Sequence, residues 1–114
     1  MTNIISRGDV WLVDLDPTQG REQAGRRPFL IVSVDLFNQG PAELVIGIPL
    51  TSKAKGIPTH VRISPPEGGL TLESFAKCED VRSISASRLK KRFGSVSAQT
   101  IAKAEDRLRI LLGL

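Results

Sequence analysis

The chain has 114 residues, 40% of them apolar and 25% charged, a composition that fits one globular domain with a modest core and leaves no room for a second. Sixteen basic against 12 acidic residues leave a formal net charge of +4, which favours an anionic partner without requiring one. A single cysteine, Cys78, excludes an intrachain disulfide and suits a reducing compartment.

Residues 1–114 are therefore read as one domain. Met1-Thr2-Asn3-Ile4-Ile5-Ser6 is too short for the apolar region of a signal peptide, and no long apolar run spans a bilayer. The expectation is a cytoplasmic protein with no membrane partner. Along the chain, Val10-Trp11-Leu12-Val13-Asp14-Leu15 is a β-rich run stopped by Asp16-Pro17-Thr18. Next comes Gly20-Arg21-Glu22-Gln23-Ala24-Gly25-Arg26-Arg27-Pro28, a charged loop that empties directly into Phe29-Leu30-Ile31-Val32-Ser33-Val34. Pro28 fixes its own φ and biases Arg27 towards extended backbone, so this joint holds a cation still. Two readings of the loop stand side by side: a cradle for a phosphate or RNA strand, and a solvated hairpin.

Residues 28–34 read as a buried strand, Asn38-Gln39-Gly40-Pro41 as a turn, and residues 44–50 as a third strand. Residues 51–56 form a polar connector. His60-Val61-Arg62-Ile63-Ser64 alternates as a half-buried strand does, and Pro65-Pro66-Glu67-Gly68-Gly69 turns the chain. Strands fit residues 74–78 and 81–84, separately or as one bent strand, and residues 89–96 make the last, carrying Lys90, Lys91 and Arg92. From Ser97 the period becomes helical, through Ile101, Ala104, Leu108 and Leu111, with Ser97 as N-cap and Gly113 as the stop. Many short strands and then one helix predict a mostly β fold, a small antiparallel barrel with the helix packed on it. Barrels of this size often complete their burial by dimerising. The helix is read as core first and interface second.

Familiar catalytic machinery is missing. There is no phosphate-binding Gly-x-x-x-x-Gly-Lys, no dinucleotide fingerprint and no zinc spacing. His60 is the only histidine, which excludes a two-histidine ribonuclease, and no serine sits in a nucleophile elbow. At the start of a strand, His60 reads as structural or superficial. The carboxylates are scattered apart from Asp14/Asp16 and Glu79/Asp80, so neither a metal site nor a cofactor is expected. Cys78 follows an apolar run with no ligand pattern beside it and reads as a buried, inert thiol. Aromatics are few, so an RNA ligand would be held by arginine and backbone groups more than by stacking. What remains is arginine, hydroxyl and carboxylate chemistry.

At this point the chain resembles a known family. Ser6-Arg7-Gly8-Asp9-Val10-Trp11 with Asp14-Leu15-Asp16-Pro17 is similar to the opening of the MazF/PemK (Kid) toxin endoribonucleases, and residues 20–28 resemble their Gly-x-Glu-Gln-x-Gly-x-Arg-Pro signature. Ile48-Pro49-Leu50-Thr51-Ser52, Pro58-Thr59-His60-Val61, Glu79-Asp80-Val81-Arg82-Ser83-Ile84 and Ser87-Arg88-Leu89 follow in the family's order. The resemblance implies an SH3-like barrel with a terminal helix, usually a homodimer. It implies sequence-specific, metal-independent cleavage of single-stranded RNA, restrained by a cognate antitoxin protein in the RNA groove. In the family the 2′-hydroxyl attacks the adjacent phosphate, leaving a 2′,3′-cyclic phosphate or 3′-phosphate and a 5′-hydroxyl.

Carried over by motif, Arg27 and Thr51 are the catalytic pair. A fixed guanidinium offers a planar fork of donors to a phosphate that gathers charge in the transition state. Arginine is a poor base, so Glu22 is the candidate acceptor of the 2′-hydroxyl proton. Thr51 is placed to hydrogen-bond a phosphate oxygen; by spacing alone it is an ordinary β-branched strand end. Arg21, Gln23, Arg26, Ser52, Lys53, Asp80 and Arg82 are the candidate RNA-binding residues, with Lys55, Lys90, Lys91 and Arg92 as further candidates for a backbone track. Two positions depart from the family pattern, Arg21 where a small residue is frequent and Asp80 where a glutamine is. Both bear on the sequence recognised more than on the bond cut. Two other readings compete: a non-catalytic toxin that inhibits DNA gyrase on a related fold, and an inactive RNA-binding member of the same fold.

Overall fold

Alternation along the first strands sorts their side chains onto two faces, and both faces are covered. The computed structural model describes residues 4–15 and 25–114. Strand β1 (Asp9–Asp14) sends Val10 into one core and Trp11 and Val13 into the other. β2 (Arg26–Ile31) divides Leu30 from Phe29 and Ile31, and β3 (Leu44–Thr51) divides Ile48 and Leu50 from Val45. A strand covered on both sides reads as a near-continuous apolar run, as residues 29–31 do; the strand stops at Ile31, short of the expected residue 34, and Val34 is exposed.

The remaining elements are a single-turn helix α1 (Asp35–Asn38), β4 (His60–Ile63), β5 (Ser74–Lys77), β6 (Arg82–Ser85), β7 (Leu89–Ser95) and the C-terminal helix α2 (Ala98–Leu112). The pairings are antiparallel, in the order β4-β5-β3-β2-β1-β7, with β6 on the first half of β3. This is the expected mostly β architecture with one terminal helix. The sheet stays open, since among the described residues β4 and β7 end the path without pairing to each other. The two readings of residues 74–84 resolve into separate strands, parted by a 3-10 turn over Cys78–Asp80. α1 escapes the sequence because one turn is too short to show a period.

Pro49 lies inside β3, where a missing N–H ordinarily breaks a ladder. β3 changes partners there. Leu44 to Gly47 pair with β6, Leu50 and Thr51 pair with β5, and Pro49 falls in the gap between the two ladders.

Ser97 caps α2, accepting from the Thr100 backbone N–H at 3.2 Å, and Gly113 ends the helix at φ 69°. Glu67 reinforces the same end: its Oε2 accepts from Ser97 N (2.9 Å) and the Thr100 hydroxyl (2.5 Å). The helix buries Thr100 and Ala104, and Ile101 and Leu108 pack against the first core. Its last turn differs, with Ile110, Leu111 and Leu112 exposed. The core half of the helix is as expected, and the apolar end projects from this chain.

Beside the helix, the 3-10 turn Glu67–Gly69 lies directly on β7. A Cβ on Gly69 would stand 2.0 Å from the Phe93 carbonyl oxygen, and one on Gly94 2.8 Å from Gly69 N. Only glycine allows this crossing.

Candidate active site

The turn Glu67–Gly69 leads into residues 69–72, one wall of a cleft whose other walls come from strand ends. The loop between β1 and β2 is fastened at its base, where Leu15 N donates to Gly25 O at 3.0 Å. Beyond that bond Arg26 faces Asp14, Arg27 faces Val13 and Pro28 faces Leu12 across the antiparallel pair. Arg27 is therefore a strand residue, half-buried, with a backbone fixed by its neighbours.

Thr51 arrives at the end of β3 and is only 6% exposed. Its Oγ1 accepts from Lys53 N at 3.2 Å, a local turn in which the hydroxyl oxygen serves the backbone two residues on. That bond occupies one lone pair and leaves the hydroxyl proton to donate. The geometry gives Thr51 an orientation that spacing cannot show.

The cleft measures about 460 Å³ and is lined by Arg26, Arg27 and Pro28 of β2, Leu50, Thr51 and Ser52 at the end of β3, Gly69 to Leu72 and Ser74 before and in β5, and Lys91, Arg92 and Phe93 of β7. Among the described residues its lining carries four cationic side chains and no carboxylate. A concave, one-sign surface of this kind concentrates anions.

Of the residues singled out in the sequence, Arg26, Arg27, Thr51 and Ser52 come together here. Lys53 is exposed just past Thr51, outside the lining. Asp80 pairs with Lys77 at 3.0 Å, and Arg82 sits on β6 opposite Gly47; neither lines the cleft. Arg21, Glu22 and Gln23 lie outside the described residues. Sequence reasoning missed the wall from Gly69 to Leu72. The only signal was the Pro65-Pro66-Glu67-Gly68-Gly69 run, which announces a turn and not where it packs.

His60, Cys78 and Glu79 lie outside the lining. The His60 imidazole is buried, with Nε2 2.8 Å from Glu79 Oε2, while the Thr59 hydroxyl donates to Glu79 Oε1 at 2.7 Å. Burial pushes the Glu79 carboxyl up, but the hydrogen bonds from Thr59 and His60 outweigh it and hold the group below its ordinary 4.5. Cys78 is fully buried, and burial with the neighbouring Glu79 charge lifts its thiol to about 11. Among the described residues, no three His, Cys, Asp or Glu side chains gather as metal ligands. Nor is any described helix long and apolar enough to cross a membrane.

An open antiparallel sheet with one terminal helix and a cationic cleft at its strand ends sets the class of small β protein to which this chain belongs. Comparison with known proteins gives that class a family. The model of the PemK-like, MazF-like toxins of type II toxin–antitoxin systems matches residues 6–112. The endoribonuclease MazF9 of Mycobacterium tuberculosis is 37% identical over 97% of this chain and 98% of its own length. MazF from Deinococcus radiodurans superposes with a TM-score of 0.87 at 29% identity, covering 99% of this chain and 100% of that one. A mycobacterial endoribonuclease in complex with its cognate antitoxin gives 0.78 at 26%, covering 99% and 97%. The chain belongs to the PemK-like, MazF-like toxin family.

Proposed function

We propose that this toxin is an endoribonuclease that draws single-stranded RNA into the cleft and cuts it without a metal ion, with Arg27 and Thr51 at the reacting phosphate. The observation that carries the reading is the convergence of β2 and β3. Arg26 and Arg27 from one strand end meet Thr51 and Ser52 from another, in a cleft whose described lining is cationic. The 2′-hydroxyl oxygen forms the new bond to phosphorus as the bond to the 5′-oxygen breaks, giving a 2′,3′-cyclic phosphate and a 5′-hydroxyl. Negative charge gathers on the non-bridging oxygens. Arg27 offers them two parallel N–H donors and a fixed positive charge, and Thr51 offers one O–H donor. The proton leaving the 2′-hydroxyl goes to Glu22, and the departing 5′-oxygen takes one from solvent.

Relatives support the setting. MazF of Deinococcus radiodurans is seen with MazE, and the mycobacterial endoribonuclease with its cognate antitoxin. By the same logic the present chain acts in the cytoplasm as one domain over residues 1–114, as a homodimer whose cleft a cognate antitoxin blocks, and its cuts stop translation and growth.

A long single-stranded RNA incubated with the purified protein in EDTA tests this. Discrete cuts ending in 5′-hydroxyl groups are expected from the wild type, with a loss of about 100-fold or more in Arg27→Ala, the scale on which a transition-state donor matters. Glu22→Gln should lose the acidic limb of the rate profile while still binding RNA. Absence of cleavage on any RNA would sink the reading in favour of a binding-only toxin. Full activity of Arg27→Ala would remove that residue from the reaction.

A further inference from the structure

Among the described residues β7 ends the strand path, pairing only with β1, and it carries Lys90, Lys91 and Arg92 side by side, all three exposed. A regular strand sends successive side chains to opposite faces. Here the register against β1 runs Val10 to Gly94, Trp11 to Arg92, Leu12 to Lys91 and Val13 to Leu89, so Phe93 and Lys90 are extra residues. Bulges of this kind re-aim the side chains around them. As a result Lys91 and Arg92 border two depressions at once. One is the cleft holding Arg27 and Thr51; the other, of about 320 Å³, is completed by Lys90, Trp11 and Ile4.

Arg92 is also held in place. Its Nε lies 3.3 Å from Oδ1 of Asp9, a carboxylate only 4% exposed. The other oxygen of Asp9 accepts from Ser6 N at 2.9 Å and from the Trp11 indole N–H at 3.2 Å. Yet 49% of the Arg92 side chain stays exposed. A guanidinium oriented through one edge by a buried carboxylate still has donors to offer a phosphate. Lysines on an edge strand have an ordinary role, which is to discourage pairing with another sheet. That role requires neither a carboxylate-oriented arginine nor a second depression joined to the first.

Resting on the reading of the cleft as an RNA site, we infer that Arg92, Lys91 and Lys90 form a phosphate track that leads the RNA out of the cleft, over the sheet edge and into the depression beside Trp11. The track grips nucleotides flanking the cut and reads no bases. Binding is therefore tighter for longer RNA whatever its flanking sequence.

The test is RNA binding as a function of salt. The ligand carries 2′-deoxyribose at the cut mapped with wild-type protein, so that it binds without reacting. For the wild type, an oligonucleotide of about 12 nucleotides should bind much more tightly than one of about 4. In Lys90→Gln/Lys91→Gln/Arg92→Gln that difference should collapse, with the longer RNA losing roughly tenfold or more at low salt. The slope of log K against log salt should become shallower by about 2, three phosphate contacts at about 0.7 each. If the triple variant does not fold, Lys90→Gln/Lys91→Gln alone should still flatten the slope by about 1.4. An unchanged slope, or equal losses for both lengths, overturns the track. So does a variant that loses self-association or antitoxin binding while its RNA slope stays put, because the strip is then a protein interface. Wild-type protein that cuts no RNA refutes the proposed function and this inference with it; cutting with an unchanged slope refutes only the inference.

Discussion

A guanidinium hardly gives up its proton, so Arg27 is suited to steadying charge and unsuited to moving a proton. Its place was legible because the cause is covalent: Pro28 follows it and an apolar run follows Pro28. Thr51 was not legible in this way. Spacing shows only a β-branched strand end; the bond from Lys53 N that orients the hydroxyl appears once the chain turns. Lys91 and Arg92 belong to the cleft because of two bulges in β7, and nothing in the sequence marks an extra residue in a strand. Cys78 illustrates the opposite case, an apolar neighbourhood that spells burial. Its thiol, lifted to about 11 by burial and by the charge of Glu79, is expected to resist alkylation in the native protein at neutral pH. Labelling should appear only in denaturant, and native labelling at the rate of a free thiol would contradict the buried position.

At the scale of elements, α2 shows what local signals reach and where they stop. Ser97 and Gly113 announce both ends from the sequence, since caps act on their own backbone. Glu67 completes the N-terminus from a turn far away in the chain, and no local rule finds it. Burial pushes the Glu67 carboxyl up, but the Thr100 hydroxyl, the Ser97 backbone and hydroxyl, and Lys103 together hold it below its ordinary 4.5. A depressed carboxyl contributes stability that is present above its unfolded value and is lost as pH falls through the folded one. Wild-type protein should thus lose more stability than Glu67→Gln between about pH 5 and about pH 3. At neutral pH the variant should be less stable by about 1 kcal/mol, the usual worth of a cap. Urea titrations at the two pH values decide it; parallel losses would show that Glu67 is not the acid-sensitive support. β3 teaches a similar lesson. Pro49 in an apolar run argues against a central strand, and it is accommodated because β6 and β5 divide the edge of β3 that faces away from β2.

Across the whole molecule, fold class was legible and connectivity was not. Short strands separated by glycine and proline, then a single amphipathic stretch, specify a small antiparallel sheet with a terminal helix. The strand order and the open sheet depend on which edges find each other. That is settled by close approaches such as Gly69 on Phe93, whose partners lie far apart in sequence.

The pairing of the first strand with the last, Asp9 opposite Ser95, also orders events in time. A ribosome delivers Arg27 and Thr51 early, but Lys91, Arg92 and Phe93 complete the cleft only when β7 has emerged and returned to β1. A chain still being made has the two proposed reacting residues without the completed cleft. Nascent chains stalled before Leu89 are therefore expected to leave their own messenger intact, which a cleavage assay on stalled complexes would reveal.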